Sequence, residues 1–461
     1  MKAESYAYAP KAFRGSGMDI TKLISYICPL NDLSWPYRPP YPPASMRKSR
    51  PLILVLLTLT ALTALFSCGE DRWPEYYVYT GRDLWIDSVM RQHYLWYDQM
   101  PEFDDLNYFR TPSTFLSTVI SDDDDFSSVD TLDNSLATGY GFEYSLSTAT
   151  DNDTAYYAMV TYVMTDSPAA EAGLERGEWV MTIDGEWITG DNDTLLDSGS
   201  EAQFLIGKYQ TYTTVTDDTL ETETTGVLAD RTITMPAARE VDDDIVPVST
   251  IVDDAVGYIV YNSFDPDADE ALLNFSALCA EAGVTDVVVD LRYNEGGDIS
   301  SAQLLATLLC PASALGSDMA TLEYNDLQTA KNRTLTFDSD LLTGGAQNLN
   351  LSTVYFLTTA TTSGTAEVLI HCLQPYMDVV TLGRTTDGFY IGTEDFTNTT
   401  YNWVLHLAVC HIYNADGEEF TSSGFSPDKT VNHLNNALTV LPLGDPDEAM
   451  LSAALSLING D

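Results

Sequence analysis

The chain has 461 residues, 44% hydrophobic and 11% aromatic, a composition that excludes a disordered polymer and suits about two to three domains. Its 21 basic residues face 69 acidic ones, for a net charge of −48, which excludes nucleic acid and anionic membrane surfaces as electrostatic partners. Six cysteines form no CxxC pair, so a zinc ribbon and a redox motif are excluded, and buried free thiols are expected with one disulfide left open.

The N-terminus reads as an address. Met46 to Arg50 is basic, and Pro51 to Phe66 follows with no charge. That run is short for a membrane span, which needs roughly 20 residues, and suits a signal h-region. It ends in Leu65-Phe66-Ser67-Cys68, which resembles the lipobox of bacterial lipoproteins. The expectation is a signal peptide over 46–67, lipidation of Cys68, and anchoring to the outer membrane of a bacterial envelope. The alternative is an uncleaved anchor helix. Gly69-Glu70-Asp71 resembles the acidic export tags of surface lipoproteins in Bacteroidetes and points to the outer surface. Residues 1–45 are expected to lie upstream of the true start.

Residues 68–80 read as a tether and 81–136 as an N-terminal helical domain. Leu84, Ile86, Val89, Met90 and Tyr94 recur at helical spacing, and a second helix is expected from Pro112 to Ile120. Asp122 to Asp125 reads as a solvated turn, since it lacks the regularly spaced ligands of a calcium loop.

Residues 137–237 shift to short β-type runs at 155–164, 179–183 and 232–235. Ser167-Pro-Ala-Ala-Glu-Ala-Gly173-Leu-Glu-Arg-Gly177, followed by Trp179–Ile183 and Asp184-Gly185, resembles the signature of PDZ domains in bacterial proteases. Pro168 can open a short helix, Gly173 ends it, and Asp184-Gly185 makes a tight hairpin. Gly139, Tyr140, Gly141 and Phe142 stand where a PDZ domain places its carboxylate-binding loop, which implies converging backbone donors and a peptide added as a strand. The alternative is a structural unit with a closed groove.

From 238 to 461 strands and helices alternate. Strands are expected at 256–264, 285–291, 353–359 and 403–412, and helices at 269–282, 300–309 and 365–373, an α/β succession. Asp265-Pro-Asp267-Ala-Asp269 reads as a helix N-terminus, where carboxylates suit the dipole.

Several stretches resemble the C-terminal-processing (tail-specific) serine peptidases, in particular their Bacteroidetes lipoprotein branch. Asp290-Leu-Arg292-Tyr-Asn294-Glu-Gly296-Gly297 matches the family's Asp-Leu-Arg-x-Asn-x-Gly-Gly motif. Gly257 to Phe264, Ser423 to Asp428, Leu443 to Glu448, Tyr94 to Tyr97 and Asp125 to Ser127 match further elements, so the likeness covers nearly all of 80–461. It implies a multidomain α+β protein: a helical N-terminal domain, a small β-rich PDZ domain and an α/β core of the ClpP/crotonase-like type.

The family's reaction needs a serine at a helix N-terminus, a neutral lysine as base and backbone oxyanion donors. Here Thr362-Ser363-Gly364-Thr365-Ala366-Glu367 stands for Thr-Ala-Ser-Ala-Ser-Glu, so the nucleophile's place holds Gly364. Gly383-Arg384-Thr385-Thr386-Asp387-Gly388-Phe389 stands for Gly-Glu-Thr-Thr-x-Gly-Lys, so the base's place holds Phe389. Some members carry a glutamine four residues on, where Thr393 stands. The resemblance gives the oxyanion role to Gly296, Gly297 and Thr365.

The sequence thus points to a pseudoprotease that binds peptides or protein C-termini, tied to the membrane by a lipid on Cys68, with an envelope protein as a further partner. No cofactor and no metal are expected. Two alternatives stand: an active endopeptidase using Ser363, with His371, His406 or His411 as base, and a structural component of an envelope complex.

Overall fold

Ile86 and Met90, one helical turn apart, face inward from helix α1 (Trp73–His93) and are fully buried, as is Tyr94 just past its end. The computed structural model describes residues 73–460 apart from 133–136, 150–151, 217–219, 243, 254 and 435–436. Residues 1–45, the signal segment 46–67 and Cys68 lie outside the described residues. Helix α1 begins inside the stretch read as a tether. Helix α2 (Pro112–Leu116) opens on a Thr111 cap with Pro112 in its first turn, but ends before Ile120. The hydroxyls of Ser117 and Thr118 turn back onto the carbonyls of Thr114 and Phe115, competing with the helical pattern. Asp124 is buried rather than solvated, and accepts the N–H groups of Phe126 and Ser127 at 2.9 Å.

The β-rich unit holds β2 (Thr138–Gly139), β3 (Phe142–Thr148), β4 (Tyr156–Val163), helical turn α3 (Pro168–Glu171), β5 (Glu178–Ile183), β6 (Glu186–Trp187), β7 (Ala202–Thr216), β8 (Leu220–Met235) and β9 (Arg239–Glu240). Ahead of it, β1 (Ser128–Thr131) belongs to a sheet of the core described below. The unit's main sheet runs β3-β4-β5-β7-β8, with β6 on β5, while β2 pairs with β9 where the chain enters and leaves. Ser167 caps α3, and Asp184 and Gly185 both take positive φ, the geometry of a two-residue hairpin. Strand β8, expected only at 232–235, is 16 residues long and pairs along the whole of β7. The unit has its own core, built on Tyr140, Phe142, Val160, Val180, Phe204 and Ile206. Among the described residues β3 pairs only with β4, so its other edge carries no strand.

The core comprises β10 (Val248–Val252), β11 (Val256–Val260), α4 (Asp269–Ala282), β12 (Asp286–Asp290), α5 (Ile299–Leu309), β13 (Asp318–Tyr324), β14 (Arg333–Thr336), β15 (Thr353–Thr358), α6 (Thr365–Leu373), β16 (Asp378–Gly383), β17 (Ile391–Asn398), β18 (Trp403–Asn414), β19 (Lys429–Thr430) and α7 (Ala449–Asn459). One sheet runs β10-β11-β12-β15-β16-β19, parallel except for β10. Val287, Val288 and Val289 are all fully buried, as a parallel strand covered on both faces requires. Helices α4, α5 and α6 share the hydrophobic cluster on one face, and α7 packs into the cluster on the other. The second sheet orders β1-β18-β13-β14, with β17 also on β18. The N-terminal segment therefore contributes both a strand and buried side chains to the core. Among the described residues no helix is long and apolar enough to cross a membrane.

Candidate functional site

The site grows from the carboxyl ends of the adjacent strands β12 and β15. Asp290 ends β12, and Arg292, fully buried, returns its Nε to the Asp290 carboxylate at 2.9 Å. Its two terminal nitrogens grip Glu448 at 2.8 and 3.1 Å, and the Tyr258 hydroxyl donates to Asp290 at 2.7 Å. Asn294, also buried, donates to the Tyr261 carbonyl and accepts the Gly296 N–H, both at 2.8 Å, while its own carbonyl accepts the Ser363 N–H at 3.0 Å. The two loops are thereby tied. Gly297 sits at φ +130°, where a Cβ would come within 2.2 Å of the Phe264 carbonyl oxygen, so only glycine fits.

Gly364 caps α6 with φ 55° and ψ −117°. A non-glycine residue held there is strained, although the space is open: the nearest atoms to a Cβ would be the Glu295 oxygen at 3.7 Å, the Gly296 Cα at 3.8 Å and the Phe389 ring at 4.0 Å. Gly364 and Phe389 therefore face each other. The Phe389 ring packs edge-on against Phe126, with centroids 4.9 Å apart.

The fully buried Glu367 holds this pair in place. Its carboxylate accepts the N–H groups of Gly364 at 3.1 Å and of Gly388 and Phe389 at 2.8 Å, together with the Thr386 hydroxyl. Burial pushes the Glu367 carboxyl up, and the Thr386 and backbone donors offset part of that rise.

The backbone N–H groups of Gly297 and Thr365 donate to no acceptor among the described residues. Gly296, the other residue given an oxyanion role, spends its N–H on Asn294. Gly297, Gly364, Thr365 and Phe389 line a cleft of about 450 Å3 whose far wall includes Leu322 and Ile391. Thr393 lines it as well.

Ser363 does not line this cleft. It is buried and donates its hydroxyl to Asp387 at 2.9 Å. None of the three histidines reaches it. His371 Nε2 meets the Glu418 carbonyl, His406 meets Asp395, and His411 meets Glu419.

In the loop 139–142, Tyr140 and Phe142 turn their rings into the core of the β-rich unit. The Tyr140 N–H donates to the Asp197 carbonyl at 3.0 Å, so this donor is committed within the chain. Gly141 takes φ +76° and sits against Ser167.

Two partners of the site carried no role in the sequence reading. Arg176, inside the PDZ-like signature, donates to the Leu441 carbonyl at 2.6 Å and meets Glu448 at 3.5 Å. It joins the β-rich unit to the Arg292 network. Phe126 backs Phe389. Cys279, Cys310, Cys372 and Cys410 are free and buried, and burial pushes each thiol up to about 12. Among the described residues no cluster of His, Cys, Asp or Glu could hold a metal ion.

Residues 255–431 match the model of peptidase family S41, and residues 83–128 match the peptidase S41 N-terminal domain. A candidate S41 protease from Bacteroides fragilis shares 40% identity with a TM-score of 0.77, covering 82% of this chain and 97% of its own. The photosystem II D1 C-terminal processing protease aligns over 80% of this chain and 99% of its own, at 16% identity and a TM-score of 0.44. No curated protein matches the chain significantly.

Proposed function

We propose, from the premise that this chain belongs to peptidase family S41, that it is a lipid-anchored member that binds peptides or protein C-termini and does not cleave them. The observation that carries this reading is the facing pair of Gly364 and Phe389, 4.0 Å apart as measured to a Cβ on Gly364, inside an open cleft with unspent donors. A glycine offers no nucleophile and a phenyl ring takes no proton. The cleft can still admit a chain.

Peptide capture is assigned to the β-rich unit, read as a PDZ domain. The free edge of β3 suits strand addition, and Gly139–Phe142 precedes it as a terminal-carboxylate loop would. Peptides with a free C-terminus are expected to bind the intact chain about tenfold or more tightly than their amides, since charge-assisted hydrogen bonds contribute roughly 1.5–3 kcal/mol. Fluorescence anisotropy on acid and amide forms checks this, and mass spectrometry of the same samples checks that the peptides stay intact. Equal affinity for the two forms rules out terminal-carboxylate recognition.

The anchor is assigned to Cys68 by the h-region and Leu65-Phe66-Ser67-Cys68. Mass spectrometry of protein from the envelope fraction is expected to show an acylated N-terminal Cys68. A chain that still carries residues 46–67 and no acyl group would sink the assignment.

A further inference from the structure

A second cavity, of about 430 Å3, lies where the β-rich unit meets the core. Tyr144 and Ser145 of β3 and Thr161 of β4 line one side, and Tyr293, Arg384 and His433 line the other. It adjoins the cleft at Gly364, sharing Glu295 with it, and is lined in part by the strand whose outer edge is unpaired.

Two of its lining side chains lack partners. His433 is only 7% exposed, and its Nδ1 is buried with no hydrogen bond. A buried polar atom of this kind is uncommon and marks a missing partner. Arg384 is fixed by its backbone: its N–H donates to the Thr358 carbonyl and its carbonyl accepts the Thr358 hydroxyl, both at 2.9 Å. Its guanidinium forms no ion pair among the described residues, while Arg176 and Arg292, close by in the same junction, are both engaged by Glu448. In a chain of net charge −48, carboxylates are abundant, yet none of the described ones pairs with this guanidinium. Glu143 and Glu295 also line the cavity, and both are exposed at its rim. Glu143 has interactions of its own.

We infer that this cavity seats a carboxylate of a polypeptide bound along β3, held by the Arg384 guanidinium and by the His433 ring N–H. A guanidinium fork matches a carboxylate in two parallel hydrogen bonds. Burial, with the charges of Arg292, Arg176 and Arg384, lowers the His433 pKa to about 3, so the ring is a neutral donor of one N–H. Ser145 and Thr161 lie on the strand side, where an added strand would run. The carboxylate is that of an Asp or Glu side chain, since the chain end is assigned to the Gly139–Phe142 loop. The inference rests on the reading of β3 as the peptide-binding edge.

The test uses the intact chain and three dye-labelled pools of randomised decapeptides: free acids with one Asp near the C-terminus, the same pool with Asn for Asp, and the Asp pool amidated. Wild-type protein is expected to lose about tenfold in affinity when the recognised carboxylate is removed. Loss in the Asn pool supports the seat, whereas loss confined to the amide pool, which reports the Gly139–Phe142 loop, would overturn it. Arg384→Ala is expected to abolish the preference for the Asp pool over the Asn pool while melting with the wild type, because its exposed side chain has no protein partner to lose. Peptides that bind with the same discrimination in wild type and Arg384→Ala would overturn the carboxylate seat and leave the β3 groove standing. Failure of every pool to bind wild-type protein would overturn the groove and the seat together.

Discussion

Incubated with an unfolded polypeptide such as casein, the chain is expected to release no fragments, and a serine-directed fluorophosphonate is expected to leave it unlabelled. Acyl transfer needs an oxygen or sulfur nucleophile and a group to accept its proton. Gly364 supplies neither, and Phe389, at the place that the family resemblance gives to the base, offers a ring packed on Phe126. The free N–H groups of Gly297 and Thr365 would stabilise an oxyanion, but only after something has attacked the carbonyl. Removing catalytic groups of this kind typically lowers turnover on the order of 10⁴–10⁶-fold, which puts the chain below detection in ordinary assays.

Stepwise repair tests the assignment. Gly364→Ser meets no atom closer than 3.7 Å at its Cβ, so it fits, but φ of 55° places it in a region that strains a non-glycine residue by about 1–3 kcal/mol. The single variant is expected to fold with a lower melting temperature and to stay inert, since its hydroxyl has no base. Adding Phe389→Lys is expected to recover a small fraction of family-like activity at most, because an amine set against Phe126 must shed its hydration. Cleavage by the wild-type chain that disappears in Ser363→Ala would overturn this account. It would make Ser363 the nucleophile, despite its hydroxyl being held on Asp387 at 2.9 Å.

The parts of the fold that were legible are those whose stability is local. Helices α4 and α6 lie within their expected bounds because each has apolar spacing, and α4 has a clear stop at Gly283, which takes φ +69°. Strand β12 was legible as a run of valines. Strands β13, β14, β16 and β17 were not named, and β1 was not expected at all: it buries only Val129, so it exists because β18 offers it an edge. Strand β7 was not named either, and the reach of β8 beyond 232–235 escaped because its threonine-rich start lacks the apolar alternation that marks a half-buried strand. At the site, the places of Gly364 and Phe389 followed from motif spacing, and the structure brings them face to face. What the motif's other residues do was not legible. Arg292 and Glu448 are 156 positions apart, and nothing in either neighbourhood says that they pair. Nor could spacing show that the Gly296 N–H is taken by Asn294.

That pairing gives the prediction with the largest effect on stability. Arg292→Met is expected to lower the melting temperature by roughly 10 °C or to prevent folding. Arg292, Asp290 and Glu448 have no exposed side-chain surface, and removing the cation strands two carboxylates in the interior, a change that costs about 3–5 kcal/mol. Glu448 also accepts the N–H groups of Met450 and Leu451 at the start of α7, and it meets Arg176 from the β-rich unit, so the loss should loosen that junction as well. Arg239→Met, which breaks an exposed pair with Glu171, is the control and should cost less than about 1 kcal/mol. The same network sets an acid limit. Burial raises the Glu448 carboxyl, but Arg292 and Arg176 outweigh it and hold the group at about 2. A carboxyl depressed in the fold stabilises it above its ordinary pKa of 4.5 and loses that contribution as pH falls through about 2. His433, lowered to about 3 from 6.5, is neutral in the fold while the unfolded chain takes up a proton. Stability is therefore also lost as pH falls from 6.5 toward 3. Melting temperature followed from pH 7 downward should drop in wild type across both windows, and His433→Gln should flatten the upper one. An Arg292→Met chain that melts within about 2 °C of wild type would show that the buried pair does not hold the core to α7.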